Sequence, residues 1–253
     1  MNNHFNIISF KYFIIILSLF LFGCSASKEF ERERENKKEE SKKVLPPVKL
    51  KTVEQREREH VLLNKILISE RINYEYDKNG KLVYKGKASS VKFDKNGYPI
   101  ETIIYNENGK LDSRYEYKYN SEGFRVETLK LDSHNKVSKK FSYEYDQYGR
   151  KIKAIRYNKE GILEKYYIYR YDSNFNLVSE EWFDEEKNLE FKIEYEYDDL
   201  GNKIKSYSYD SKENLLNQFI YKYDNQMNLI EEHKFDGKNK KLGLIQYLYK
   251  YYE

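Results

Sequence analysis

Paired carboxylates are the groups in this chain whose type best suits chemistry. Glu180 with Glu181, Asp184 with Glu185 and Glu186, and Asp198 with Asp199 stand as neighbours. A glycosidase needs two such groups about 5 Å or 6.5–9.5 Å apart across a cleft. Their spacing assigns them to structure instead. Asp184 and Asp198 belong to a series that runs Asp94, Asn106, Asn120, Asp132, Asp146, Asn158, Asp172, Asp184, Asp198, Asp210, Asp224 and Asp236, with gaps that alternate between 12 and 14. A residue type recurring on that rhythm marks the turns of a repeat, so no catalytic residue is expected and the chain reads as a non-enzyme. His4, His60, His134 and His233 share no ligand spacing, and Cys24 is the single cysteine. Neither a metal site nor a cofactor is therefore expected, and the aspartate spacing is not that of a calcium loop.

The elements that carry this series are legible. In Phe141-Ser-Tyr143-Glu-Tyr145 aromatic and polar residues alternate, the period of a strand. The triplet returns as Tyr115/Tyr117/Tyr119, Tyr167/Tyr169/Tyr171, Ile193/Tyr195/Tyr197 and Phe219/Tyr221/Tyr223. Between strands, Asp or Asn opens a turn and a glycine three residues on accepts a left-handed backbone, as at Gly80, Gly97, Gly109, Gly123, Gly149, Gly161 and Gly201. Asn135 takes that place once, and Asn176, Asn188, Asn214 and Asn228 stand one residue later. Each 26-residue unit is two strands and two turns. The pattern predicts an all-β domain over 52–253, an antiparallel meander of repeated β-hairpins coiled into a solenoid-like sheet. Val126, Ile152, Val178, Ile204 and Ile230, with Leu163, Leu189 and Leu215, are its expected core. The stretch 84–90 breaks the rhythm and is expected as a loop or bulged strand. A short helix over 52–65, with Thr52 as N-cap and Gln55 as capping-box partner, is expected to cap the array.

Residues 1–23 read as an export signal, with Lys11 ahead of the apolar run Tyr12–Phe22. Leu21-Phe22-Gly23-Cys24 resembles the lipobox of bacterial lipoproteins, which implies lipidation at Cys24 and a lipid bilayer as first partner. Residues 24–51 are a charged tether. Ser25, not aspartate, follows the cysteine, which implies the outer membrane by the best-known sorting rule. A formal charge of +4 over 46 basic and 42 acidic side chains leaves nucleic-acid binding without electrostatic support.

Tyr145-Asp-x-x-Gly149 and Tyr197-Asp-x-x-Gly201 resemble the tyrosine/aspartate (YD) repeats of the RHS and teneurin type over roughly residues 72–240. That resemblance implies a spiralling sheet with scaffold or binding roles. Twenty-seven tyrosines supply rigid amphipathic contact area, and Trp182 with Phe183 interrupts the pattern as a candidate partner contact. The expected function is a membrane-anchored module binding a protein or glycan of the envelope, or alternatively a spacer with no soluble ligand.

Overall fold

The computed structural model describes residues 50–253. One helix, α1 (Val53–Leu63), precedes fourteen strands. These are β1 (Ile66–Tyr76), β2 (Leu82–Phe93), β3 (Pro99–Tyr105), β4 (Leu111–Tyr119), β5 (Arg125–Asp132), β6 (Val137–Tyr145) and β7 (Lys151–Asn158). The second half continues with β8 (Leu163–Tyr171), β9 (Leu177–Asp184), β10 (Leu189–Tyr197), β11 (Lys203–Asp210), β12 (Leu215–Tyr223), β13 (Leu229–Asp236) and β14 (Lys241–Tyr251). Every strand pairs antiparallel with its sequence neighbours. β1 also pairs with β14, from Ile66 opposite Tyr251 to Glu75 opposite Gly243, and that seam closes a barrel.

Closure corrects the expected architecture. A sheet whose first and last strands are hydrogen-bonded to each other has no free edge to extend or spiral from, so it is neither a coiled open meander nor a solenoid of the RHS and teneurin kind. Two bulges in the β1–β2 ladder, with Gly86 at φ 109°, account for the break over 84–90 and bend the sheet next to the seam.

The thirteen hairpin turns are built alike. In the turn at Asp146 the backbone N–H of Gly149 donates to the Asp146 carbonyl at 3.0 Å, and Asp146 Oδ1 accepts from the N–H of Tyr148 and Arg150 at 2.9 and 3.0 Å. The fourth turn residue is left-handed throughout. Where glycine is missing it is mostly not asparagine that takes its place: Phe175, Lys187, Glu213 and Met227 have φ of 62–68°. The asparagines that follow them compensate, because the Nδ2 groups of Asn176, Asn188, Asn214 and Asn228 donate to the second carboxylate oxygen of the turn aspartate at 2.9–3.0 Å.

A second repeated device decides which face is inside. Near the end of each even strand the register slips, so that Lys118 faces Glu127 while Tyr119 faces Arg125, and the same slip recurs at Tyr145, Tyr171, Tyr197 and Tyr223. The residue left over is Val126, Ile152, Val178, Ile204 or Ile230. These are bulge residues and not the expected core. Val126 is 43% exposed and Ile152 37%. Leu163, Leu189 and Leu215 are half-buried at the strand starts. The buried apolar residues, Val61, Ile66, Ile72, Leu131, Ala154 and Tyr167, form no continuous core. Fourteen strands about 4.8 Å apart at ~40° tilt enclose a backbone radius of roughly 14 Å, wider than side chains fill. The interior is a lumen.

The turn chemistry predicts opposite effects at adjacent residues. Glu213→Gly should stabilise the fold by about 0.5–1 kcal/mol by relieving the left-handed backbone. Asn214→Ala should destabilise it by about 1 kcal/mol through the lost clamp on Asp210. Urea unfolding of the two variants checks both signs.

Candidate functional site

Helix α1 lies across one mouth of the barrel. Thr52 Oγ1 accepts from the N–H of Gln55 and Gln55 Oε1 accepts from the N–H of Thr52, a reciprocal cap that fixes where the helix starts. Three turns of the rim hold it. Arg56 donates to Asn176 Oδ1 at 2.9 Å, Arg58 bonds the Tyr98 hydroxyl and stacks 4.7 Å over its ring, and His60 Nε2 donates to Asn228 Oδ1 at 3.0 Å. His60 Nδ1 accepts from Asn64, which fixes that tautomer. Asn228 is fully buried, so this histidine is a docking contact and not a free surface group.

Beneath the helix the wall is organised in rows. In the row nearest the mouth, the hydroxyls of Tyr119, Tyr145, Tyr171, Tyr197, Tyr223 and Tyr249 each donate to a backbone carbonyl 20 residues back, on Pro99, Arg125, Lys151, Leu177, Lys203 and Leu229, at 2.8–2.9 Å. In the next row Tyr117, Tyr143, Tyr221 and Tyr247 bond Thr102, Thr128, Ser206 and Glu232 at 2.6–2.8 Å. Desolvation raises the hydroxyl pKa along the first row, to about 12 at Tyr223, and at Tyr117, Tyr221 and Tyr247 in the second. These tyrosines are neutral donors at any physiological pH.

The bulge that turns Val126 outward turns Arg125 inward, and the same holds for Lys151 and Lys203. Each cation lies against tyrosine rings of its own and the neighbouring hairpin. Arg125 is 4.4 Å from the Tyr117 centroid, Lys151 4.3 Å from that of Tyr169, and Lys203 5.0 and 4.7 Å from those of Tyr195 and Tyr221. Rings in this position offset part of the cost of holding a cation away from bulk water. From the helix, Glu54 and Glu57 point down at them, and Glu54 Oε1 is 3.5 Å from Lys151 Nζ. Glu57 keeps an exposed side chain but is surrounded by protein atoms; that desolvation, then Glu54, raises its carboxyl, with Lys203, Lys151 and Arg125 opposing. Burial lowers the Lys203 ammonium, with Glu57, Glu232 and Glu180 opposing. Between helix and wall lies a cavity of about 260 Å³ whose lining includes Glu54, Glu57, Arg125, Tyr143 and Lys151.

Trp182 and Phe183 part company. Trp182 faces the lumen opposite Tyr167, with ring centroids 5.5 Å apart and Nε1 donating to Glu180 at 2.6 Å, whereas Phe183 pairs with Tyr166 on the outer wall. They form no common patch. The aromatic ladder points inward and leaves no outer contact row, so neither the anchored binding module for a protein or glycan nor the spacer survives. The partner assignment through a lipid-anchored array falls with the array itself. Residues 1–49, with the signal, the lipobox cysteine Cys24 and most of the tether, lie outside the described residues.

The outer wall is a ladder of ion pairs: Lys118–Glu127 at 2.6 Å, Lys153–Glu144 at 3.0 Å, Arg170–Glu181 at 3.1 Å and Lys222–Glu231 at 3.0 Å. A wall facing lipid needs an apolar band, and a lysine or arginine at the bilayer midplane costs about 2–4 kcal/mol. Such charges suit a wall in water. Among the described residues no helix is long and apolar enough to cross a membrane and no cluster has the makings of a metal site.

A family model described as "Uncharacterised protein" matches residues 92–206, less than half of the chain. No curated protein matches. Among solved structures the chain is similar to a porin-like protein from Bacteroides uniformis, at 9% identity over 74% of this chain and 97% of that one, with a TM-score of 0.37. It is similar to a DUF1329 family protein from Desulfovibrio piger at 9% identity, over 79% and 94% of the two chains, with a TM-score of 0.30. A second porin-like protein, from Bacteroides vulgatus, matches at 13% identity, over 73% and 98%, with a TM-score of 0.24. Likenesses this loose do not bear on function. At the level of architecture, a closed β-barrel fits an outer-membrane or envelope-associated protein.

The charges under the helix predict a two-limbed pH dependence. A carboxyl raised on folding, as at Glu57, favours the folded state as pH falls through its pKa. The turn aspartates Asp146, Asp198 and Asp224, lowered by the N–H groups and side chains they accept from, do the reverse, so their contribution is lost at lower pH. Stability should therefore rise slightly on mild acidification before it collapses. Glu57→Gln should be more stable than the parent at pH above the Glu57 pKa, with the gap closing as pH falls through it. Chemical denaturation across that range reads the crossover.

Proposed function

We propose that the barrel is a transport-type container that holds a small polar solute in its lumen, beneath α1, while standing in an aqueous compartment of the cell envelope. One observation carries this reading: two cations stacked on tyrosine rings, Arg125 and Lys151, border a cavity of about 260 Å³ under the helix, with a third, Lys203, on the same wall. Such groups are costly to bury and contribute little to a core, but they suit a ligand that brings charge and hydroxyls. The tyrosine rows add fixed hydroxyls and apolar ring faces. The charged outer wall supports a container in water over a pore in lipid. The proposed role is non-catalytic.

Isothermal titration calorimetry against a panel of small carboxylates, phosphates, amino acids and neutral sugars tests the proposal. Saturable binding of at least one compound is expected, weakened about tenfold or more by Lys151→Ala or Arg125→Ala. Absence of saturable binding across the panel overturns it.

A further inference from the structure

The inner wall around the helix is not neutral by itself. In the two rows nearest the helix, Arg71, Arg125, Lys151 and Lys203 face Glu180 and Glu232, four cations against two carboxylates. Arg71 is 3.9 Å from Glu232 and lies over the Tyr247 ring, while the other three cations lie over rings and not against wall carboxylates. Glu54 and Glu57 supply the two missing negative charges, and they come from the helix and not from the barrel. The fit is loose. Glu54 Oε2 is buried without a hydrogen-bond partner, its Oε1 stays 3.5 Å from Lys151, and Glu57 has no ion pair among the described residues. A buried carboxylate oxygen such as Glu54 Oε2 would be paired if it were built to stay, and Glu57 is exposed and ready to give way.

Resting on the container reading, we propose that α1 is a tethered stand-in for the ligand: the solute is a small dianion, a dicarboxylate or a phosphate, which takes the place of the Glu54 and Glu57 charges opposite Arg125, Lys151 and Lys203 and releases the helix from the mouth. The helix is suited to leave as a unit. Its hold on the rim is largely polar, through Arg56, Arg58 and His60, with Val61 its one buried apolar side chain, and it joins the barrel through Asn64 and a left-handed Lys65.

Hydrogen exchange of the full chain, followed with succinate and separately with inorganic phosphate, reads the release. At least one dianion should abolish protection of the amides of residues 56–63 while leaving β1–β14 protected, at the concentration that saturates calorimetric binding. Glu54→Gln/Glu57→Gln should lower protection of the same amides without ligand and bind that dianion about tenfold tighter, because the competitor is gone. Dianion binding that leaves the helix protected, or a double variant that binds no tighter, overturns the inference. Binding of neutral or zwitterionic solutes only would overturn the inference and leave the container standing, whereas failure of every solute to bind overturns both.

Discussion

Six tyrosine hydroxyls hold this barrel in register. A hairpin closed by a turn at one end is free to splay at the other, and here that other end is tied by a tyrosine on the even strand reaching the first carbonyl of the odd strand before it. The bulge exposes the carbonyl, the hydroxyl satisfies it, and leaving it buried and bare would cost about 1–3 kcal/mol. A sheet with almost no fully buried apolar side chains cannot rely on packing to set its register. Polar latches repeated at constant spacing do that work, and Tyr252 extends them across the seam by donating to the Phe93 carbonyl.

The same bulge makes the interior chemically active. By inserting one residue it exchanges faces for everything beyond it, so an isoleucine or valine that alternation would bury turns outward and a lysine or arginine turns inward. Structure and site thus share one cause. The latches hold cations at the height where the tyrosine rings of the adjacent row receive them, and the capped helix brings carboxylates to the same height.

Much of this was legible along the chain, and the failures have identifiable reasons. Strands and turns follow from local rules, the 12 and 14 gaps between turn residues and the alternation of the tyrosine triplets, and the helix start follows from Thr52 and Gln55. Closure does not follow, because the β1–β14 pairing joins residues 66 and 251 and no local signal encodes it. Strict alternation through Val126 and its equivalents points these residues inward, and the bulge that reverses them has no local signature. Arg125, Lys151 and Lys203 do recur at multiples of 26, but Leu177 and Leu229 interrupt the series and a chain rich in lysine hides it. Glu54 and Glu57 look like the solvated side of a surface helix. What set them apart, a barrel mouth beneath them, existed only after closure.

The seam between β1 and β14 also carries the attachment of the helix. The N–H of Tyr252, just beyond the last strand, donates to the carbonyl of Lys65, which links α1 to β1. During synthesis α1 and β1 emerge first and β14 last, so the helix has no complete mouth to cover until the final strand of the barrel has been made. Until then the growing sheet carries two bare edges and an interior open along its whole length. Such a protein must assemble as an unfinished cylinder, with its lumenal charges in water, and loop closure over almost the whole domain comes as the last and slowest step. Chaperones or rapid synthesis would serve it best at that stage, when it is nearly complete and still has edges to aggregate through.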